Sequence, residues 1–333
     1  MTLQAIGHSS SFAVSICIPA YRQVDFLRKT LQSIRDQDFG DYEVIVTDDS
    51  PDDCVERLVA EFASDARVKY HRNSIPLGSP ENWNEAIRRA SGKYIKIMHH
   101  DDYFSSEHSL GKFVAMMEQA PECSFGFCAT EVEDIIGRRR WNHSVSSEAL
   151  AGLRDDPGAV LFHGNCIGSP SATIYRRAAG LPFDARMKWL VDVDFYSRML
   201  RGARTFAYSQ EAWIGTPTNA THQVTEACRD NATVELGEAF LFYGKLSAAS
   251  RLRPEVIGAW RRLFIRYRIR KAADLRRLGV RADPDLVAQL FDSLPSTSLR
   301  EQIEARLYRV YMLLPRWLRW PLKQLRNGIR ALR

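Results

Sequence analysis

Two adjacent carboxylates preceded by two histidines are the strongest candidate for chemistry in this 333-residue chain. The stretch His99-His100-Asp101-Asp102 follows an apolar run with strand character over residues 94–98. In open α/β sheets, ligands bind in the crevice beyond the carboxyl ends of the strands. Aspartate oxygens suit Mg²⁺ or Mn²⁺, and such an ion commonly bridges to phosphate groups. We interpret Asp101 and Asp102 as a metal site; the alternative is a turn that only ends a buried strand.

A second pair of carboxylates, Asp192 and Asp194, has helical spacing. If a helix begins at Leu190, Asp192 lies in its first turn and Asp194 points about 200° away around the axis. Arg198 follows Asp194 by four residues and is its natural ion-pair partner. Asp192 is therefore the carboxylate that remains available for chemistry. The alternative is that Asp192 is an N-cap residue whose negative charge the helix dipole favours.

The elements that must position these residues alternate between strand and helix. We predict strands over 14–19, 42–47, 68–71 and 94–98, and helices over 24–35, 54–63 and 81–90. This alternation predicts an open, mostly parallel α/β sheet of the doubly wound kind. Three further helices are predicted over 232–251, 254–278 and 284–294. We therefore divide the chain into residues 1–230 and a helical region, 231–333.

The composition is that of a globular protein, with 45% hydrophobic and 26% charged residues. No apolar run approaches the ~20 residues of a membrane-spanning helix. The first residues lack the basic and apolar regions of a secretory signal. The six cysteines are scattered without a Cys-x-x-Cys pair, which indicates reduced thiols in a cytosolic setting.

The basic charge is concentrated in the C-terminal part of the chain. Residues 251–333 carry 20 Lys and Arg against 7 Asp and Glu, whereas the preceding residues carry 26 against 33. From Ser298 onwards, apolar residues recur every three or four positions with arginines between them and Trp317 and Trp320 at the centre. This pattern is typical of a helix lying in a membrane surface. The alternative is packing on the catalytic domain or on a partner subunit; no nucleic-acid recognition motif accompanies the charge.

Five short sequence segments, taken together and in their order along the chain, resemble a known family. They are residues 14–21, 31–37, 44–52, 82–95 and 99–103. Together they closely resemble the nucleotide-sugar-binding half of family 2 glycosyltransferases, which have the GT-A fold. The resemblance covers roughly residues 12–225, and it implies a Rossmann-like mixed sheet with a helical C-terminal extension.

The resemblance also implies where a nucleotide sugar would bind. The turn after the first strand would meet the base and ribose, and an aspartate of the second acidic turn would hydrogen-bond one of them, because a carboxylate only accepts. The alternative for that turn is a cap of the next helix. The implied residues are Pro19, Ala20, Tyr21, Asp48 or Asp49, and Asn84.

Metal and catalytic roles follow from the same resemblance. Asp101 matches the metal-binding Asp of the family, with Mn²⁺ or Mg²⁺ as the ion, and Asp102 matches the Asp that commonly follows it. His99 stands where the family usually has another Asp. Asp192 matches the general base that takes the proton of the acceptor hydroxyl. His222 matches loosely a segment that folds over the diphosphate, and the alternative is a solvated loop histidine.

We therefore expect an inverting, metal-assisted glycosyltransferase that uses a nucleotide-diphosphate sugar, with a UDP-sugar favoured. The expected acceptor is a glycan or a lipid-linked glycan, as in cell-surface polysaccharide synthesis. We expect the protein in the cytoplasm, peripheral on the cytoplasmic face of the inner membrane, with no nucleic-acid partner. One alternative is a nucleotidyltransferase. Such an enzyme would need a Gly-rich phosphate loop after the first strand, and residues 19–22 contain no glycine. The other is a non-catalytic nucleotide-sugar-binding scaffold.

Overall fold

The computed structural model describes residues 12–203, 205–219, 228 and 230–294. His222 and the basic segment 298–333 lie outside these residues. The strands are β1 (Val14–Ala20), β2 (Tyr42–Asp48), β3 (Val68–Arg72), β4 (Tyr94–Ile97), β5 (Tyr103–Phe104), β6 (Phe125–Asp134), β7 (Arg139–His143), β8 (Thr173–Arg176) and β9 (Ala207–Thr218). The helices are α1 (Val24–Arg35), α2 (Cys54–Ala60), α3 (Glu81–Arg88), α4 (Ser109–Gln119), α5 (Ser147–Asp155), α6 (Pro157–His163), α7 (Val191–Ala203), α8 (Ala232–Lys245), α9 (Ala248–Arg251), α10 (Pro254–Tyr267), α11 (Ala272–Arg277) and α12 (Pro284–Ser293).

The strands form one mixed sheet in the order β3-β2-β1-β4-β8-β6-β9-β5, with β7 paired to β6. The four strands β3, β2, β1 and β4 are parallel, so the carboxyl ends of β1, β2 and β4 meet at one edge. Strand β8 is antiparallel to both β4 and β6 and joins the two halves of the sheet. The predicted α/β architecture is confirmed, and its polar strand ends share one edge.

The predicted elements of the first hundred residues are confirmed, with ends that shift by at most three residues. Strands β1 and β2 are buried along their whole length, which is why they appear in the sequence as continuous apolar runs. In α1, the residues Leu27, Leu31 and Ile34 form the buried face that the helical spacing predicts.

Two predicted helices are wrong as single elements. The stretch 232–251 is divided into α8 and α9 because Leu246 is extended and Ser247 caps the second helix. The stretch 254–278 is divided into α10 and α11, because Arg268 adopts a left-handed φ of 56° that ends α10. The apolar spacing continues across both breaks, since the helices on either side pack into one core. Within the described ranges, no helix has the length and apolarity to cross a lipid bilayer.

Apolar side chains form two clusters on opposite faces of the sheet. Alternate residues of each central strand enter different clusters; in β2, for example, Ile45 enters one and Val44 the other. The cluster of Ile45 also contains Phe240 of α8 and Trp260 of α10. The division at residue 230 remains a prediction, but the apolar core is continuous across it. The C-terminal helices are therefore packed where they can position residues of the catalytic half.

Candidate active site

One large cleft lies where the carboxyl ends of β1, β2 and β4 face the start of α7. Its volume is about 1810 Å³, and it extends along β6 and β9 to α10. The sequence-predicted residues that line it are Pro19, Ala20, Tyr21, Asp49, Asp101, Asp102 and Asp192. The structure thus brings the candidate metal residues and the candidate base to the same cavity, although they are far apart in the sequence.

The metal turn, which we define as residues 99–102, gathers three groups that can coordinate a cation. One ligand atom from each of His99, Asp101 and Asp102 lies within 4.8 Å of the other two. Carboxylate oxygens suit Mg²⁺ and Mn²⁺, and an imidazole nitrogen suits transition metals. The three groups together therefore fit a divalent cation, with His99 added to the two predicted aspartates.

Asp102 lies at the base of this turn and is only 2% exposed. One carboxylate oxygen accepts a hydrogen bond from Ser169 Oγ at 3.1 Å. Burial raises the pKa of Asp102, and the neighbouring Asp101 carboxylate raises it further. A cation held between the two aspartates would oppose both effects, because it favours the ionised carboxylate. The turn is therefore better suited to hold a cation than to remain without one.

His99 has a ring nitrogen that the described residues leave unsatisfied. The ring packs against Trp83, with centroids 4.7 Å apart, and the peptide N–H donates to Ser171 Oγ at 2.9 Å. Nε2 is buried without a hydrogen-bond partner in the part of the chain that the structure describes. Burial lowers the pKa of His99, which favours the neutral ring. Since a buried polar atom normally has a partner, this nitrogen fits a contact with a metal or a nucleotide.

Lys96 supports the metal turn from below and was missed by the sequence reasoning. It is fully buried on β4, and Nζ donates to the carbonyl oxygen of Ser171, whose hydroxyl accepts from His99. Nζ also lies 4.4 Å from the centroid of the Phe113 ring. Burial lowers the pKa of Lys96 to about 7. The signal was a lysine within an otherwise apolar strand.

The two aspartates after β2 lie in different environments. Asp49 lines the cleft and accepts hydrogen bonds from Asn73 Nδ2 at 2.8 Å and from the N–H groups of Leu77 and Gly78 at 3.0 and 2.7 Å. These bonds fix the loop between β3 and α3 at the rim. Asp48 instead is fully buried below the cleft.

Asp48 is occupied by its own turn. It accepts hydrogen bonds from the Ser50 N–H and from the Tyr70 hydroxyl, each at 2.8 Å. Of the two aspartates that the sequence left open, the structure favours Asp49 as a neighbour of the nucleotide, because Asp49 lines the cleft and Asp48 is buried below it. Asp48 matches the alternative, a structural turn residue.

Asn84 lies outside the cleft, contrary to our expectation. Its amide nitrogen donates to the Phe183 carbonyl oxygen at 3.0 Å, and its amide oxygen accepts the Phe183 N–H at 2.8 Å. The side chain is 5% exposed and joins α3 to the segment before α7. Because the backbone of Phe183 pairs with both the nitrogen and the oxygen of its side-chain amide, Asn84 is unavailable to a ligand. Tyr21, in contrast, is 50% exposed at the cleft rim, and His222 lies outside the described residues.

Asp192 and Asp194 differ as their spacing predicted. Asp194 is fully buried and bonded to Arg198 Nε at 2.8 Å and to Lys245 Nζ at 2.7 Å. Asp192 lines the cleft in the first turn of α7, and its Oδ2 accepts from Asn165 Nδ2 at 2.8 Å. Burial raises the pKa of Asp192 to about 6. A carboxylate with that pKa is ionised at neutral pH and still basic enough to take a proton.

Glu238 of α8 holds the chain segment that leads into α7. Its two carboxylate oxygens accept three consecutive backbone N–H groups, those of Lys188, Trp189 and Leu190, at 2.7 to 2.8 Å. Glu238 is 5% exposed. The sequence reasoning missed it, although Glu238 interrupts the apolar face that Ala239 and Phe242 share. We refer to this interaction as the Glu238 clamp.

The comparisons with known proteins agree with the fold. Residues 15–180 match the family model described as Glycosyl transferase family 2. The chain is 32% identical over 147 residues to GalNAc(5)-diNAcBac-PP-undecaprenol beta-1,3-glucosyltransferase of Campylobacter jejuni, covering 43% of this chain and 46% of that protein. The chain spans 46 to 64% of the length of the first two curated relatives that it matches.

Two solved structures share the fold at low sequence identity. One is S. aureus TarS 1-349 in complex with UDP-GlcNAc, with a TM-score of 0.61 and 17% identity over 85% of this chain and 81% of that one. The other is the mannosyltransferase PcManGT from Pyrobaculum calidifontis in complex with GDP-Man and Mn²⁺, with a TM-score of 0.53 and 15% identity over 95% and 85% of the two chains. The fold is thus the GT-A fold, and the chain belongs to glycosyl transferase family 2.

Proposed function

We propose that this protein transfers a sugar from a nucleoside diphosphate to a hydroxyl group of a glycan or lipid-linked glycan, with inversion and with the help of a divalent metal. The observation that carries the proposal is the shared cleft. It is lined by the metal turn, by Asp49 and by Asp192, so one bound nucleotide sugar can reach all three. A phosphate-binding metal and a carboxylate base are the two groups that such a transfer needs.

The metal would be held by Asp101 and Asp102, with His99 as a third ligand. This assignment is supported by the 4.8 Å grouping of their ligand atoms and by the unsatisfied Nε2 of His99. When bound, the ion would stabilise the negative charge on the departing diphosphate. The residues themselves orient the site: Ser169 fixes Asp102, and Ser171 fixes the backbone of His99.

Asp192 would act as the general base. It accepts the proton of the acceptor hydroxyl while that oxygen forms a bond to the anomeric carbon, and the bond from that carbon to the diphosphate oxygen breaks. Asn165 holds Oδ2 of Asp192 and thereby orients the carboxylate. Attack from the side opposite the leaving group inverts the anomeric configuration.

A UDP-sugar is the donor that we favour. The proposal is supported by the carboxylate of Asp49, which accepts hydrogen bonds only, and by the UDP-GlcNAc complex of TarS, which shares the fold. The same fold also accommodates GDP-Man in PcManGT, so the fold by itself does not select the base.

The proposed acceptor is lipid-linked, in the synthesis of a cell-surface polysaccharide. Support comes from the Campylobacter relative, whose name specifies a glycan on diphosphoundecaprenol. The basic, tryptophan-containing segment 298–333 would bring the enzyme to an anionic membrane surface, on the cytoplasmic face of the inner membrane.

We expect Asp192→Asn to lower the turnover of transfer by about 10²- to 10⁴-fold, because the amide cannot accept the proton. UDP binding with Mn²⁺ should be unchanged. In the unsubstituted enzyme the rate should fall as the pH drops through about 6, since the base must be deprotonated. Rate against pH with a radiolabelled donor measures both effects, with Asp292→Asn as an exposed control. Normal transfer by Asp192→Asn would show that another group is the base.

Asp101→Ala should weaken UDP binding in Mn²⁺ without affecting the weaker binding in EDTA, because it removes a metal ligand. Isothermal titration of UDP in both buffers measures the difference. Asp41→Ala, at an exposed position before β2, is the matched control and should bind like the unsubstituted protein. Equal Mn²⁺-dependent binding by the two variants would contradict the metal assignment.

The variant Glu238→Gln tests whether the Glu238 clamp positions Asp192. The new amide nitrogen would face backbone donors, which costs about 1–3 kcal/mol of unfolding free energy. The segment before Asp192 would then shift, so we expect a lower kcat with an unchanged Kd for UDP and Mn²⁺. Steady-state kinetics and chemical unfolding measure this, with Glu255→Gln on the exposed start of α10 as control. A destabilised variant with normal kcat would mean that the clamp is structural only.

Neutralising Arg316, Arg319, Lys323 and Arg326 to Gln in the full chain should reduce its binding to vesicles that contain anionic lipid. Each charge near such a surface is worth about 1 kcal/mol, so the loss should exceed a hundredfold in partition coefficient. Vesicle flotation measures it. The control neutralises four exposed charges of the described helical region, Arg268, Arg270, Lys271 and Arg276. Equal flotation of the two variants would rule out the membrane role.

A further inference from the structure

The hairpin of β6 and β7 carries an aromatic side chain that the proposed chemistry does not yet use. In its antiparallel register, Thr130 pairs with His143 and Val132 pairs with Trp141. Paired residues of adjacent strands project from the same face of a sheet. Thr130, Val132 and His143 all line the cleft. By this register Trp141 shares the strand face of these cleft-lining residues, and it is 47% exposed.

The opposite face of the hairpin has a different character. Arg140 lies there and forms ion pairs with Glu133 at 2.9 Å and with Glu131 at 3.8 Å. Successive residues of a strand alternate between faces, so Trp141 is separated from this charged network. The tryptophan thus presents an apolar surface to the cleft side.

The strand face that carries Trp141 is connected, through His143, to the loop that orients the proposed base. His143 lies two residues further along the same face, and its Nε2 donates a hydrogen bond to the carbonyl oxygen of Cys166 at 3.0 Å. That carbonyl belongs to the loop in which Asn165 bonds to both Gly168 and Asp192. The cleft face of β7 therefore adjoins the loop that orients the base.

The strand register also relates Trp141 to the metal turn. Thr216 of β9 is the register partner of Val132, and it interacts with the side chain of Asp102. Thr216, Val132 and Trp141 thus lie across three neighbouring strands, which spans roughly 10 Å at the usual strand spacing. A ligand beside Trp141 would therefore lie on the same sheet face as Thr216, the neighbour of Asp102.

We propose that Trp141 is the stacking platform for the acceptor sugar, a pyranose with an apolar C–H face. This inference rests on the proposed function and adds the chemical class of the acceptor group. The aliphatic hydrogens of such a face are attracted to the negative face of the indole ring, and the indole N–H can donate to a sugar hydroxyl. Trp141 would be a binding residue that sets acceptor affinity, with no part in proton transfer.

A membrane contact is the competing explanation for an exposed tryptophan near arginines. The tip of the hairpin carries Ile135 and Ile136, which are 43% and 75% exposed. Trp141 does not lie at that tip but pairs with Val132, which lines the cleft. The register therefore favours a sugar over a lipid at Trp141, and Ile136 provides a matched control on the same hairpin.

The test uses the full chain with UDP and Mn²⁺ and four probes: methyl β-D-glucopyranoside, methyl N-acetyl-β-D-glucosaminide, cellobiose and chitobiose. Saturation-transfer NMR should detect at least one of them, with transfer strongest to the ring protons of one sugar face. Trp141→Ala should raise its Kd about tenfold, the loss of a stacking interaction. Trp141→Phe should raise it less than Trp141→Ala, and Ile136→Ala should leave it unchanged.

Several results would overturn the inference: none of the probes binds, Trp141→Ala binds them normally, or Trp141→Ala loses only its binding to anionic vesicles. UDP titration in Mn²⁺ separates this failure from that of the proposed function. If every variant binds UDP normally and the sugar results are negative, only the role of Trp141 falls. If the unsubstituted protein fails to bind UDP, the proposed function falls and this inference with it.

Discussion

The structure of the site depends on one buried carboxylate, Glu238, which accepts three successive backbone N–H groups just before α7. These partly buried hydrogen bonds satisfy backbone N–H groups just before the first turn of α7, where the helix itself offers no acceptor. The clamp therefore fixes where α7 begins, and with it the position of Asp192. Because Glu238 lies on α8, the C-terminal helices contribute directly to the geometry of the cleft, and Lys245 of the same helix adds a second connection through Asp194.

The acidic groups of the cleft divide their roles according to their surroundings. Asp194 and Asp48 are satisfied by protein groups, whereas Asp102 and Asp192 are buried with raised pKa values. Asp102 has a second carboxylate and an unsatisfied imidazole nitrogen beside it, which is an environment that a cation completes. Among the described residues, the hydrogen bonds to Asp192 come from neutral groups, which suits a base that gains a proton. In the proposed function, the same physical cause, burial, would prepare one group for a metal and the other for a proton.

Much of the fold and part of the site were predictable from local patterns. Apolar runs that end in acidic turns identified β2 and β4 and the residues at their ends, and the i, i+4 spacing of Asp194 and Arg198 separated the two aspartates of α7. The position of Asn84 outside the cleft, and the choice of Asp49 over Asp48, were not predictable, because each depends on which backbone groups a side chain meets after folding. The contact of Glu238 and the position of Trp141 were missed for the same reason: the first depends on how α8 packs against a distant segment, and the second depends on the strand register.

The central claim is that the base and the leaving diphosphate lie on opposite sides of the transferred sugar. The anomeric configuration of the product tests it most directly. The enzyme would be incubated with Mn²⁺ and the α-linked UDP-sugar that it hydrolyses fastest, and the first sugar released would be recorded by ¹H NMR before it mutarotates. The account predicts that the β-anomer appears first. Initial release of the α-anomer would contradict a single displacement with Asp192 as the base.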